Sequence, residues 1–192
     1  MNFENFKKRL RSCRYCADLD FEPKPFVGKE KSERSAKIVQ ISQQPSKNAS
    51  ESNIPFSDAS GKKLVDEWYK IPRKLFDNPK LFYITGVAHC FSPDRKVAAR
   101  LRRECSKKWL EQELSFLEPM LYIIIGRHSA NFFFPRRNFT RLVFENLVLN
   151  NKQAFVLPHP SPANKKWFKD NPTFESTRLL SIRNAVHNAM NS

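Results

Sequence analysis

The residues in this chain best able to do chemistry are its four cysteines, and their spacing forms a pattern. Cys13 and Cys16 are separated by two residues, and Cys90 and Cys105 by fourteen. A Cys-x2-Cys step at a helix end lets two thiolates face one centre, and the second pair brackets a loop that leaves a strand. Four thiolates are what a cubane iron–sulfur cluster or a structural zinc requires. The plainer alternative is four unrelated core residues, because Cys is among the most buried residue types. A disulfide is not expected in a reducing compartment. Zinc sites more often use two tight pairs, and only one pair is tight here. A 4Fe-4S cluster is therefore the expected cofactor, with structural Zn as the alternative.

The second chemical feature is Leu157-Pro158-His159-Pro160-Ser161-Pro162-Ala163-Asn164. Proline fixes φ, so a histidine among prolines just after an apolar run is presented on a stiff loop with little entropy left to lose. The remaining histidines carry weaker signals. His89 sits beside Cys90, as a supporting group or an exposed one, and His128 and His187 read as structural or solvated.

The elements that position these residues follow from hydrophobic periodicity. Phe3, Phe6 and Leu10 recur at helical spacing among basic residues, so an amphipathic helix leads into the first cysteines. Residues 22–35, with Pro23, Pro25 and Gly28, read as an irregular connection. Strands are expected at 36–41, 81–87, 120–126 and 154–157, and helices at 63–71, from Ser92-Pro93-Asp94 through Leu117, and at 174–190. Ser92 is the expected N-cap of the long helix, with Pro93 in its first turn and Pro119 beyond its end. Met120–Gly126 is almost wholly apolar, as in a strand covered on both faces. Phe132, Phe133 and Phe134 are expected to pack under the sheet, and the three tryptophans in or near the core. Strands alternating with helices predict a single α/β domain over 1–192, a three-layer α/β/α sandwich around a mainly parallel four-stranded sheet, with 1–35 as an N-terminal helix and connection. Ligands of such sheets bind beyond the carboxyl ends of the strands, where loops 42–56, 88–93, 126–130 and 158–164 should converge.

The chain has 34 basic and 19 acidic residues among 192, a formal charge of +15. Such a surplus concentrates polyanions at the surface, so nucleic acid is the first partner to expect. No apolar run approaches the ~20 residues of a membrane span. Residues 1–11 lack the apolar core and cleavage site of a secretory signal, so a cytoplasmic location is expected, and a monomer with it.

Taken together, these stretches resemble the uracil-DNA glycosylase superfamily, most closely its iron–sulfur bacterial and archaeal branch, called family four. Cys-x2-Cys followed by Cys-x14-Cys is similar to the cluster-binding pattern of that branch, which makes Cys13, Cys16, Cys90 and Cys105 its candidate ligands. Ser42-Gln43-Gln44-Pro45-Ser46, then Ile54-Pro55-Phe56-Ser57-Asp58-Ala59-Ser60-Gly61, looks like the first family motif, with Phe56 where an aromatic ring stacks on a flipped base. The His159 loop resembles the His-Pro-Ser-Pro-x-Asn segment that enters the minor groove. What the resemblance implies is a three-layer fold of that superfamily and hydrolysis of the N-glycosidic bond of uracil or another damaged base in DNA, in base excision repair. No lysine lies in the motifs, so no covalent intermediate is expected.

Breaking that bond leaves a cation-like sugar and an anionic base, so the site must extrude the nucleotide and stabilise charge on the departing oxygen. His159 takes the second task, Phe56 holds the base plane, and backbone amides of Gln43 and Gln44 add donors. Pro160, Ser161, Pro162, Asn164, Lys165 and Lys166 are the expected DNA contacts. Two positions depart from the family pattern. Ala49 stands where an acid orients the attacking water, and Gly86 stands where an asparagine reads uracil. Asp58 is the expected substitute acid, with Glu51 as a second candidate, and Asn48 or His89 the substitute base contact. With both groups missing, an iron–sulfur protein of the same fold that binds nucleic acid without catalysis is the alternative.

Overall fold

The structure is a computed structural model and describes residues 2–19, 22–27 and 34–192. The connection expected at 22–35 is thus described only at its ends, and its Gly28 lies outside the described residues. Five strands form one sheet: β1 (Ile38–Ser42), β2 (Phe82–Gly86), β3 (Leu121–Ile125), β4 (Leu147–Leu149) and β5 (Lys152–Leu157), in the order β2-β1-β3-β5-β4. All pairings are parallel except β4 with β5. The expected four strands are all present, with ends shifted by up to two residues, and the sheet is corrected from four strands to five.

β4 was missed because it is three residues long, on the edge and antiparallel, with Val148 exposed. The chain did carry a signal for it. Asn150 and Asn151 both adopt positive φ, 49° and 60°, which joins β4 to β5 through the two-residue turn whose twist matches that of a hairpin.

Register decides which helices cover which face. Because β1 and β2 pair Ile38 with Phe82 and Val39 with Tyr83, these partners share faces. On the face holding Gln40 and Phe82 lies α3, a helical turn Ala59–Lys62 that widens into π-type turns over Lys63–Tyr69. Its Tyr69 donates a 2.6 Å hydrogen bond to Gln40 Oε1 and stacks on Phe82. Arg183 on the C-terminal helix, residues 174–191, donates to the carbonyls of Glu67 and Trp68 and locks that helix beside α3. On the opposite face, α1 (Phe3–Arg11) and the long helix 95–115 meet through Phe6 and Trp109, and Phe3 packs on Tyr83. The apolar run of β3 is buried at all five positions, as a strand with helices on both faces must be. Trp68, Trp109 and Trp167 are buried as expected.

One local expectation is corrected. The long helix starts at Arg95 and its cap is Asp94, whose carboxylate accepts from the N–H groups of Lys96 and Val97 at 2.8 Å, so Ser92 and Pro93 precede the helix. An ionised carboxylate satisfies two orphan donors where a serine hydroxyl satisfies one. Phe132, Phe133 and Phe134 are half-buried at the end of the helix Arg127–Phe133 and pack against the core.

The hairpin yields a stability prediction. Asn151→Ala should lower the unfolding free energy by about 1 kcal/mol, the cost of a left-handed conformation for an ordinary side chain, while Asn151→Gly should be neutral or mildly stabilising. Urea denaturation of the two variants, with unchanged slopes, measures both.

Candidate active site

The carboxyl ends of β1, β2 and β5 open onto a pocket of about 220 Å³. This lies below the ~300–1,000 Å³ of sites for drug-sized ligands, so it suits a small ring system. Its lining draws on three of the four loops expected to converge: Ser42 to Phe56, Ala88 to Phe91, and His159. The fourth is joined at its root. Gly126 donates from its N–H to Leu157 O at 2.8 Å, and a Cβ placed on it would meet the Cβ and Cδ2 of His159 at 3.8 and 3.9 Å. Phe26, from the N-terminal segment, completes the wall.

Phe56 is held in the pocket against its own backbone preference. Its φ of 51° lies in the left-handed region, which costs a non-glycine residue on the order of 1 kcal/mol. Arg73 holds this conformation and Gly61 permits it. Arg73, fixed by its ion pair with Asp77, donates to the carbonyls of Phe56 and Pro55 at 2.5 and 2.7 Å. Gly61 packs so closely that a Cβ there would fall 1.8 Å from Phe56 O. The ring then meets Phe76 edge-on at 6.0 Å, and the residue lines the pocket.

His159 sits at the pocket mouth, exposed, directly after β5. The backbone N–H of Ser161 donates to its Nδ1 at 3.1 Å, so Nδ1 is an acceptor and the ring proton of the neutral form belongs on Nε2. Asn164 Nδ2 donates to His159 O at 3.2 Å and ties the loop down. The packing around the ring disfavours its charged form and lowers its pKa, with the Asp58 carboxylate pulling weakly the other way.

Asp58 is the only acidic residue in the pocket lining among the described residues. Its Oδ1 caps α3 by accepting from Gly61 N at 3.0 Å, and Oδ2 has no hydrogen-bond partner among the described residues. Glu51 lies outside the pocket, exposed and 4.0 Å from Lys47. Gln43 and Gln44 line the pocket, the first fixed through Ala88 N donating to Gln43 O and the second through Gln44 Nε2 donating to Ser92 O, both at 3.0 Å. Asn48 is not brought in. It sits on the exposed side of α2 (Lys47–Ser52), while the buried side of that helix turns Ala49 into the pocket. Gly86 also lines the pocket, and a Cβ on it would stand 2.7 Å from Ala88 O. An asparagine there would require the 86–88 backbone to move.

Of the expected DNA contacts, Pro162, Lys165 and Lys166 are exposed, while Ser161 and Asn164 are half-buried and spend their side chains inside the loop. Pro160 is buried, which makes it an anchor of the loop rather than a surface contact. Lys166 pairs with Asp170 at 2.9 Å.

The four cysteines, from two distant parts of the sequence, line one small apolar cavity with Leu10, Leu101 and Trp109. Cys90 and Cys105 are buried, and Cys13 and Cys16 half-buried. Burial and then the charges of the other three sulfurs push the Cys90 thiol up to about 12, and burial followed by Cys105 and Cys13 raises Cys16. The described residues hold no group of three or more His, Cys, Asp or Glu closed tightly enough for a single ion.

His89 is the residue whose importance was least visible in the sequence. It is buried, lining both the pocket and the cysteine cavity. Its Nδ1 lies 3.2 Å from Cys105 Sγ and its Nε2 2.9 Å from Glu113 Oε2. Glu113 is itself buried and accepts from Tyr83 at 2.6 Å and Thr85 at 2.8 Å. Burial alone would disfavour a charged imidazole, but Glu113 and Cys105 outweigh it and raise the His89 pKa. Only the adjacency of His89 to Cys90 hinted at this.

A pocket at the carboxyl edge of a mainly parallel sheet is where an α/β domain of this kind binds its ligand. Residues 29–183 match the uracil DNA glycosylase superfamily, and the chain belongs to that superfamily. It is similar to the type-4 uracil-DNA glycosylase of Archaeoglobus fulgidus, 28% identical over 136 residues that make up 69% of this chain and 64% of the relative. It is also similar to that of Saccharolobus solfataricus, 23% identical over 140 residues, 71% of this chain and 61% of the relative. The chain thus spans somewhat less than two thirds of the length of these relatives.

Two predictions follow from the geometry. Because the native pKa of His159 is depressed, the unfolded state binds more protons between that pKa and the ordinary ~6.5. The contribution of His159 to stability is therefore complete above about 6.5 and declines as pH falls below it. An NMR titration of the ring should show a midpoint below 6.5, and the decline should be smaller in His159→Asn. Separately, Gly61→Ala should displace Phe56, seen as lost protection of the α3 amides from hydrogen exchange and a stability loss of about 1–3 kcal/mol from overpacking.

Proposed function

We propose that this chain is a monofunctional DNA glycosylase that hydrolyses the N-glycosidic bond of uracil or a related damaged base, a step of base excision repair. The observation that carries this is the pairing of Phe56 and His159 in one pocket, with His159 Nδ1 occupied by Ser161 N–H. A ring so held keeps Nε2–H as a donor, and its lowered pKa keeps it neutral at pH 7.

A base flipped out of the strand enters the pocket and stacks on Phe56, where Gln43 and Gln44 contribute polar contacts. As the bond to the sugar lengthens, negative charge gathers on the base carbonyl. A hydrogen bond from His159 Nε2 to that oxygen strengthens with the charge and lowers the barrier without transferring the proton. Asp58, through its unpaired oxygen, is the group able to orient water or to face the cation-like sugar. On the strand itself, Pro162, Ser161, Asn164, Lys165 and Lys166 form a stiff basic rim, and the charge of +15 supports attraction to the phosphate backbone.

Cys13, Cys16, Cys90 and Cys105 fit a 4Fe-4S cluster, one sulfur per iron, since all four line one apolar cavity. When bound, such a group would cross-link the N-terminal segment, the loop after β2 and the helix that carries Cys105. Structural zinc is the alternative on ligand type alone, although the four sulfurs do not close on a single ion in this structure, and the two separate by colour, iron and sulfide giving a brown protein. Among the described residues no helix is long and apolar enough to cross a membrane.

A second function is favoured by Ala49 and Gly86, which line the pocket where the resemblance leads one to expect an acid and an asparagine. With those groups gone, the fold would bind DNA without cleaving it. Purified protein incubated with single- and double-stranded oligonucleotides carrying uracil and a panel of deaminated or alkylated bases should release free base. His159→Ala should slow release by roughly 10²–10³-fold, the usual effect of removing one donor to a developing oxyanion. Salt-dependent binding with no release of any base would defeat the catalytic function and select the binding one.

A further inference from the structure

The pocket and the cysteine cavity are separated by one side chain. His89 lines both, and its two ring nitrogens face different partners. Its carbonyl accepts from Phe26 N at 2.7 Å, which fixes the segment carrying Phe26 on the pocket wall and Pro25 on the cysteine cavity. Its backbone N–H donates to Cys105 Sγ at 3.4 Å, and its ring Nδ1 lies 3.2 Å from the same sulfur. On the far side of the ring, Nε2 lies 2.9 Å from Glu113 Oε2 and 3.3 Å from Thr85 Oγ1, and Thr85 belongs to the pocket lining.

Donor and acceptor counting determines how the ring works when Cys105 is a metal ligand. A ligating sulfur carries no proton, so Nδ1 must donate to it. Tyr83 and Thr85 already donate to Glu113 and hold its carboxylate in place, so a proton must also lie between Nε2 and Oε2 for those atoms to approach to 2.9 Å. Burying Glu113 without partners would be costly, and its three contacts remove that cost while fixing the imidazole in one orientation. The arrangement is thus built to aim one N–H at one cysteine sulfur.

We propose that His89 is a positioning residue of the cysteine centre, whose Nδ1–H hydrogen bond to Cys105 raises the reduction potential of the group held there, and whose other contacts make the same ring part of the base-pocket wall. The proposal rests on the cluster assignment made above. A hydrogen bond donated to a ligand sulfur withdraws charge and favours the more reduced cluster, and removing it lowers the potential.

The test uses the purified, cluster-loaded protein and needs no substrate. Asparagine places an amide N–H near the position of Nδ1, whereas glutamine places one near Nε2. Spectroelectrochemical titration should give a lower midpoint potential for His89→Gln than for the wild type, with His89→Asn returning toward the wild-type value. Equal potentials in all three proteins would overturn the proposal. Should the variants fail to fold, pulsed EPR of the reduced wild-type protein grown with ¹⁵N-histidine decides the matter. A resolved imidazole nitrogen coupling supports the hydrogen bond, and its absence overturns it. A wild-type protein without iron–sulfur absorption would overturn the cluster assignment and this proposal together, whereas a brown protein without the shift removes this proposal alone. An inactive glycosylase that still shows the shift removes only the catalytic function.

Discussion

The site depends first on backbone pairing that continues beyond the strands. β1 lies between two parallel neighbours, and its ladder does not stop at Ser42: Val87 N donates to Ser42 O and Ala88 N to Gln43 O. At the other end of the sheet, Gly126 N donates to Leu157 O. Loops that would otherwise be free to move are thereby tied to one another where they leave the sheet. Parallel strands all present their carboxyl ends at one edge, so each tied loop delivers its side chains to the same place.

On that frame, function is set by close approach and by occupied hydrogen-bond sites. Phe56 keeps an unfavourable backbone conformation because Arg73 holds its carbonyl and Gly61, lacking a Cβ, permits the close approach. His159 is confined from the opposite side, its Nδ1 engaged by Ser161 N–H and its carbonyl by Asn164. Both residues are pre-set before any ligand arrives, which reduces the freedom lost on binding. Asp58 faces two ways in this small site, with one oxygen capping a helix start and the other without a hydrogen-bond partner among the described residues.

Beneath the pocket lies a polar network in an otherwise apolar layer. Tyr83, Thr85, His89 and Glu113 are all buried, and each finds its partner within the group or at Cys105. Such a network is tolerable only when satisfied, and when satisfied it permits few alternative packings. It makes the long helix 95–115, the loop after β2 and the cysteine cavity one mechanical unit directly behind the pocket floor.

Much of this was legible in the residues themselves. Apolar runs and helical stripes marked four of the five strands and the main helices, because burial on one face or two imposes a period that survives in the sequence. The cysteine spacing and the proline-flanked His159 marked residues that the fold gathers into a cavity and a pocket, and superfamily membership agrees with the resemblance. What the chain could not reveal locally was direction. Asn48 and Ala49 are neighbours on one short helix, and only its packing decides that alanine enters the pocket and asparagine faces water. His89 was ambiguous beside Cys90 because Glu113 and Thr85, which define its role, reach it from a remote helix and from β2. Residue type and period are written along the chain, whereas the aim of a loop side chain is set by contacts with distant segments, and those exist only once the fold has formed.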